Sequence, residues 1–369
     1  MPTSKVVVNL REGCSYDIRI GSGIIAGIGA YIKKIPSIAD ACHIAIITDN
    51  NVAPLYLDVV SDSFTEAGYE VSGFTFEAGE ENKTLKCAQA IIERMCEENL
   101  DRKTVVVGLG GGVVCDMAGF IASVFLRGVA CVYVPTSLLA MVDASVGGKT
   151  GVNTKSLKNA IGTFCQPAYV CADLDTLKTL DERQWKSGCA EIVKTAMVCG
   201  DDLFFEVSER AQEIKARDIE TIGELITACV TFKAEIVSLD ERDTQGVRAC
   251  LNYGHTLGHA LEELGQFKTF THGEAVACGM RFAAMMSADC GMMEDQLRIA
   301  QNELLDDLGL VSNRFDFDED EIVCAMHKDK KNRDGIINMV LPEDVGRCEV
   351  VPVDDKDIAE ALSAFKERF

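Results

Sequence analysis

Three of the five histidines in this 369-residue chain crowd into LNYGHTLGHALEELGQFKTFTHGEAV, at positions 255, 259 and 272. Four residues separate His255 from His259, so a helix puts both imidazoles on one face, and His272 opens the next helical run after a short loop. Imidazoles so grouped are either metal ligands or hydrogen-bonded helix residues. Two histidines and a carboxylate suffice for a catalytic zinc site with one open position, and GCAEIVKTA offers Glu191, with Lys194 one turn on. His43 and His327 stand outside any cluster and read as strand or surface residues.

Two glycine-rich stretches bear on anion binding. TVVVGLGGGVVCDMAGFIA reads as a buried strand, a glycine turn and a helix, an arrangement whose backbone N–H groups can receive a pyrophosphate. Val113 stands where the G-x-G-x-x-G spacing from Gly108 and Gly110 needs a third glycine, so a tight connection is the competing reading. VDASVGGKTGVN ends like a phosphate-cradling P-loop, but Asp143 occupies the position five before Gly148 where that motif needs glycine. Asp143, paired glycines and Lys149 suit a polyol and a phosphate better than a nucleoside triphosphate. Other basic residues fall beside these motifs: Arg127 in FLRGV, Lys158 in SLKNAIG, Lys233 in TFKAEIV, Arg248 four residues before Asn252, and the DKKNRDG segment. Most lysines are solvated surface. Several converging on one dianion would each add roughly 1.5–3 kcal/mol as charged hydrogen bonds.

The elements that must position these residues change character along the chain. Runs at 43–49, 71–76, 104–112 and 130–136, and VVVNL before them, alternate with amphipathic stretches at 49–68 and 83–100, the pattern of parallel strands joined by helices. Beyond about residue 178 the pattern turns helical, at 186–199, 202–214, 217–240, 255–264, 273–290 and 294–309, and IINMVLP is the one late strand. Length favours two domains. A formal charge of −22 excludes nucleic acid and anionic membrane as partners, since both require a basic face. It also means that any anionic ligand needs a local basic pocket. No apolar run is long enough for a membrane span and the first residues lack a secretory signal, so the expected location is cytoplasmic, with the 16 scattered cysteines reduced.

Taken together, TDNNVAPLY, AGEENKT, GLGGGVVCDMAGFIAS, PTSLLAMVDASVGGKTGVN, LKNAIGTF, SGCAEIVKTA, GVRACLNYGHTLGHALE and THGEAVACGM resemble the 3-dehydroquinate synthase family over nearly the whole chain. The resemblance implies an α/β, Rossmann-like NAD domain with a parallel sheet over 1–178. It implies a mostly α-helical domain for metal and substrate over 179–369, an active site in the cleft between them, and a homodimer. Metal ligands would be Glu191, His255 and His272, holding Zn2+ or Co2+. NAD contacts would be Asp49, Asn51, Glu80, Lys83, Gly110, Gly111, Gly112, Val113, Asp116, Thr136, Ser137, Thr176, Leu177 and Thr179, with Lys149 and Lys158. Substrate would meet Arg127, Asp143, Lys149, Lys158, Asn159, Lys194, Lys233, Arg248, Asn252 and His259, and either Lys330 or Lys331. Catalytic roles would fall to Lys149, Lys194, His259, Asn252, Arg127 and Asp143. Three positions depart from the family pattern: Cys115 for a common glycine, Cys165 for a frequent aromatic, and Asp181 where a proline often follows TL.

The implied reaction is a carbon–oxygen lyase reaction of the shikimate pathway. It turns 3-deoxy-arabino-heptulosonate 7-phosphate into 3-dehydroquinate and phosphate through oxidation, elimination, reduction, ring opening and aldol closure. The rival readings are a metal-dependent polyol or glycerol-phosphate dehydrogenase, another sugar-phosphate cyclase, and a non-catalytic NAD-binding regulator.

Overall fold

The computed structural model describes residues 3–10, 14–154, 157–311, 315–328 and 335–368. Two compact units emerge, one of Met1–Leu180 with Val230–Arg242, the other of Asp181–Cys229 with Asp243–Phe369.

The first unit opens with β1 (Ser4–Val8), β2 (Tyr16–Gly21) and the short α1 (Ile28–Ile32). Alternation follows: β3 (His43–Asp49), α2 (Ala53–Glu66), β4 (Glu70–Phe76), α3 (Leu85–Glu97), β5 (Val105–Gly110), α4 (Gly112–Val124) and β6 (Ala130–Pro135). A small antiparallel pair, β7 (Lys149–Val152) and β8 (Ile161–Phe164), precedes β9 (Tyr169–Asp173). The main sheet has the order β1-β2-β9-β6-β5-β3-β4. From β2 to β4 every pairing is parallel, whereas β1 pairs antiparallel with β2, so the sheet is mixed at that edge. β5 and β6 and the Ile44–Ile47 centre of β3 are apolar because both faces are covered, and Ile44, Ile46, Val105, Val107, Val132 and Val134 pack with Val60 and Phe64 of α2. The chain runs from β3 outward to β4, then returns to β5 and on to β6, which makes the carboxyl ends of β3 and β5 a topological switch point.

The second unit contains α5 (Glu182–Cys199), α6 (Asp201–Glu209), α7 (Ala211–Lys215) and the first half of α8 (Ile219–Leu239). After residue 242 come α9 (His255–Leu264), α10 (His272–Asp289), α11 (Asp295–Asp307), α12 (Glu319–His327), the hairpin β10 (Ile337–Asp344) and β11 (Arg347–Val353), and α13 (Asp355–Arg368). From Ala275 to Ser287 every residue of α10 is buried, as befits a helix surrounded by others. Asp181, in place of the family's proline, caps α5 by accepting the Gln184 N–H at 2.9 Å. The stretch read as one helix over 202–214 is two, because Arg210 leaves helical geometry at φ −99°, ψ 16°. Among the described residues no helix is long and apolar enough to cross a membrane, and no disulfide joins the cysteines.

Candidate metal centre

Glu191 lies midway along α5, His255 begins α9 and His272 begins α10. Close backbone approaches bring the three together. Gly254 takes φ 78° just before His255, and a Cβ on Gly279 of α10 would stand 1.8 Å from the Gly254 carbonyl oxygen. α9 and α10 therefore meet backbone to backbone. In the first turn of α10, a Cβ on Gly273 would be 2.2 Å from the Ser187 carbonyl oxygen, and the Gly273 N–H donates to Ser187 Oγ at 2.9 Å, tying α10 to α5. Arg183 of α5 reinforces that tie, donating to both Glu274 carboxylate oxygens at 2.9 and 2.7 Å, while Glu274 and Thr271 form a capping box on α10.

One ligand atom from each of Glu191, His255 and His272 can be taken so that all lie within 4.8 Å of one another. Glu191 Oε1 is 3.8 Å from His255 Nε2 and 3.4 Å from His272 Nε2. The other nitrogens face acceptors: His255 Nδ1 is 3.0 Å from the Tyr253 carbonyl oxygen, and His272 Nδ1 is 3.3 Å from Glu262 Oε2. Each Nδ1 must then carry the proton, which leaves a lone pair on each Nε2. Burial holds His255 well below the usual imidazole range; Glu191 opposes this, and Lys194 and the neighbouring histidines add to it. Two lone pairs thus converge on a wholly buried carboxylate, an arrangement that calls for a cation between them. Two nitrogens and one oxygen suit Zn2+ or Co2+ better than the all-oxygen set of Mg2+ or Ca2+.

Around this group, Lys194 Nζ sits 2.5 Å from Glu191 Oε2, with both side chains out of solvent. The His259 ring lies 5.3 Å from that of His255 and 6.3 Å from that of His272. Arg248 is buried and shares the 3-10 turn Val247–Asn252 with Asn252, whose Nδ2 donates to the Ala249 carbonyl at 3.2 Å. Lys330 and Lys331 lie outside the described residues.

In the first unit the nucleotide-type residues flank the switch point. Asp49 ends β3, and its Oδ1 accepts the N–H groups of Asn51 and Val52 at 2.9 Å each, shaping the turn into α2. Gly110 ends β5, followed by Gly111, and then Gly112 and Val113 in the first turn of α4, where N–H groups have no partner within the helix. A Cβ on Gly110 would come within 2.5 Å of Val114, so that turn admits no side chain. Thr136 and Ser137 follow β6, the Thr136 N–H donating to the Gly110 carbonyl at 2.9 Å and Ser137 Oγ accepting the Ala140 N–H at 3.3 Å. Beside them Lys83 Nζ meets Asp116 at 2.5 Å and Glu80 at 3.7 Å; burial raises the Asp116 carboxyl, against the pull of Lys83. Thr176, Leu177 and Thr179 share a 3-10 turn held by the Tyr56 hydroxyl, 2.6 Å from Thr179 Oγ1.

Lys149 is exposed at the start of β7, Lys158 and Asn159 follow, and Asp143, on a π-helical turn, accepts from Lys233 Nζ at 2.8 Å. Arg127 is exposed, with Leu126, Arg127 and Gly128 all at positive φ. Sequence reasoning missed Asn153. Its Nδ2 donates to Glu80 Oε1 at 2.8 Å and its Oδ1 accepts the Asn159 N–H at 2.8 Å, joining the two loops.

The sequence profile described as 3-dehydroquinate synthase N-terminal matches residues 73–187, and the C-terminal one matches 188–332. The 3-dehydroquinate synthase of Geobacter metallireducens is 42% identical over 350 residues, 94% of this chain and 95% of that protein. The chain belongs to the 3-dehydroquinate synthase family. A second member, from a Thermoanaerobacter species, is 37% identical over 97% of this chain and 99% of its own length. Among solved structures, 2-deoxy-scyllo-inosose synthase complexed with carbaglucose-6-phosphate, NAD+ and Co2+ superposes with a TM-score of 0.86 at 26% identity, covering 99% of both chains. The 2-epi-5-epi-valiolone synthase of Streptomyces hygroscopicus, with NAD+ and Zn2+ bound, gives 0.87 at 26% identity, covering 99% of this chain and 100% of that one. An iron-containing alcohol dehydrogenase from Thermotoga maritima, at 15% identity over 95% of this chain and 98% of its own, with a TM-score of 0.68, shares the fold alone. For a 3-dehydroquinate synthase family member, the parallel strands from β2 to β4 and the helical second unit are the architecture that the sequence resemblance implies, and the antiparallel β1 at the sheet edge is a departure from the parallel sheet expected.

Proposed function

We propose that this chain is a 3-dehydroquinate synthase, converting 3-deoxy-arabino-heptulosonate 7-phosphate to 3-dehydroquinate and phosphate in aromatic biosynthesis, with NAD used catalytically and a divalent metal. The observation that carries the reading is the buried Glu191 facing the Nε2 atoms of His255 and His272, in a chain matched by both halves of the family profile.

Glu191, His255 and His272 would hold Zn2+ or Co2+, and NAD would lie along the Gly110–Gly112 turn, with Asp49, Lys83 and Asp116 near it. When bound, the metal supplies Lewis-acid stabilisation to a substrate hydroxyl that loses its proton, and NAD supplies a hydride acceptor that returns the hydride within the same turnover. The chain's residues do the rest by binding and orientation. Lys149, Asn159 and Arg127 grip the phosphate, so that its own oxygen is placed to accept the proton lost in elimination. Arg248 and Asn252 take the carboxylate end. His259 and Lys194 carry protons to and from the substrate oxygens, His259 from beside the two ligand rings and Lys194 from its contact with Glu191. Such chemistry makes the chain a carbon–oxygen lyase; we place it in the cytoplasm as a homodimer, in keeping with the family.

The deciding assay supplies metal-loaded protein, heptulosonate phosphate and NAD well below one equivalent of substrate, and follows phosphate. Complete phosphate release without net NADH is the expected result. NADH accumulating in step with substrate would make it a dehydrogenase, and absence of phosphate would remove the synthase reading.

A further inference from the structure

The two imidazoles at the metal centre are oriented by unlike groups. His255 leans on the backbone carbonyl of Tyr253, two residues upstream, which cannot move without the chain. His272 leans instead on a side chain from another helix, Glu262 of α9, through Nδ1 and Oε2 at 3.3 Å. As the first residue of α10, His272 lacks a preceding helical turn to restrict its ring, and it is the more exposed of the pair. Glu262 is only 4% exposed, and it shares a helix face with His255 and His259 at spacings of seven and three.

A second carboxylate buried near Glu191 is costly, because like charges in a low dielectric repel and each loses its water. The nearby ammonium of Lys194 already lies against Glu191. What offsets the cost at Glu262 is the imidazole N–H it accepts, and behind that imidazole the cation expected between Nε2 and Glu191.

We propose that Glu262 is a positioning residue for the metal centre: it fixes the Nδ1–H tautomer and ring angle of His272, so that the Nε2 lone pair is aimed at the ion. The inference rests on the metal reading above. Glu262 is outside the ligand set of Glu191, His255 and His272 and acts on it through His272. Carboxylates in this position typically contribute about 10–100-fold in metal affinity.

The test uses the full chain stripped of metal and titrated with Zn2+ against a chromophoric chelator, in wild-type, Glu262→Ala, Glu262→Gln and Glu191→Gln forms, with thermal melting of each metal-free protein. Glu262→Ala should weaken zinc binding by about 10–100-fold. Glu262→Gln, which keeps an acceptor oxygen, should lose less, and that partial rescue is the mark of positioning. If both Glu262 variants bind zinc like the wild type, even with lower melting temperatures, Glu262 is only a buried carboxylate and the inference is wrong. Should Glu262→Ala fail to fold, wild-type affinity in Glu262→Gln would overturn it equally. Failure of the metal reading looks different: wild type takes up no zinc, or Glu191→Gln binds as tightly as wild type, and the inference then falls with it.

Discussion

Gly279→Ala should damage the metal centre although residue 279 is no ligand. A Cβ there would stand 1.8 Å from the Gly254 carbonyl oxygen, 2.8 Å from its carbon and 3.1 Å from the Gly258 nitrogen. Ordinary carbon–oxygen contacts lie near 3.3–3.6 Å, so the two backbones must part by roughly 1.5 Å. No side chain can rotate away, since every clashing atom is main chain at the start of α9. His255 is the next residue after Gly254, and metal–ligand distances tolerate only about ±0.2 Å. Overpacking of this kind costs about 1–3 kcal/mol. If that strain is relieved when the ion leaves, zinc affinity drops by about 5–150-fold. Competition titration reads the affinity and calorimetry the melting temperature, which should fall by a few degrees. Gly73→Ala, whose nearest contact is an ordinary 3.5 Å to Leu57, serves as the control and should change neither. Wild-type affinity and melting in Gly279→Ala would refute the claim that the α9–α10 contact sets the ligand geometry.

Other outcomes follow from the same structure. Lys149→Ala should lower kcat/KM by about 10–150-fold, the worth of one charged hydrogen bond to phosphate, with metal content unchanged by elemental analysis; lost zinc would mean the residue has been misplaced. Lys83→Ala removes the partner of Asp116 at 2.5 Å and should destabilise the protein by about 3 kcal/mol in denaturant unfolding, whereas Lys103→Ala, on an exposed pair with Asp40, should do nothing measurable. Alkylation of the native protein at pH 8 should label the exposed Cys14, Cys42, Cys96, Cys199, Cys290 and Cys324 and spare Cys189 and Cys229, whose thiols burial pushes up to about 12; mass mapping that finds those two labelled before denaturation would contradict the burial.

What the sequence disclosed depended on how local the signal was. The His255–His259 spacing is a helical repeat, and the helix read over 255–264 is α9 with those bounds. β3 was legible in HIAIITD because the centre of a strand covered on both faces, here Ile44–Ile47, is a continuous apolar run. β2 and β9 were not read: YDIRIG and YVCAD are short, and their pairing with one another, across most of the first unit's sequence, stabilises them more than composition does. The same limit hid Asn153, since its partners Glu80 and Asn159 come from different loops. Glu262 had a signal that went unused, three residues past His259 on the same face, but two adjacent glutamates in HALEEL give no local reason to turn one inward. Only the packing of α9 on α10 decides which of them meets His272.

The account stands on a cation held by Glu191, His255 and His272. Diffraction from crystals of active protein, recorded on both sides of the absorption edge of whichever metal it contains, places that ion without reference to the ligands. One anomalous peak within bonding distance of the Glu191 carboxylate and of Nε2 in both histidines is the result expected. A peak elsewhere, or none in crystals whose dissolved protein still releases phosphate, would contradict it.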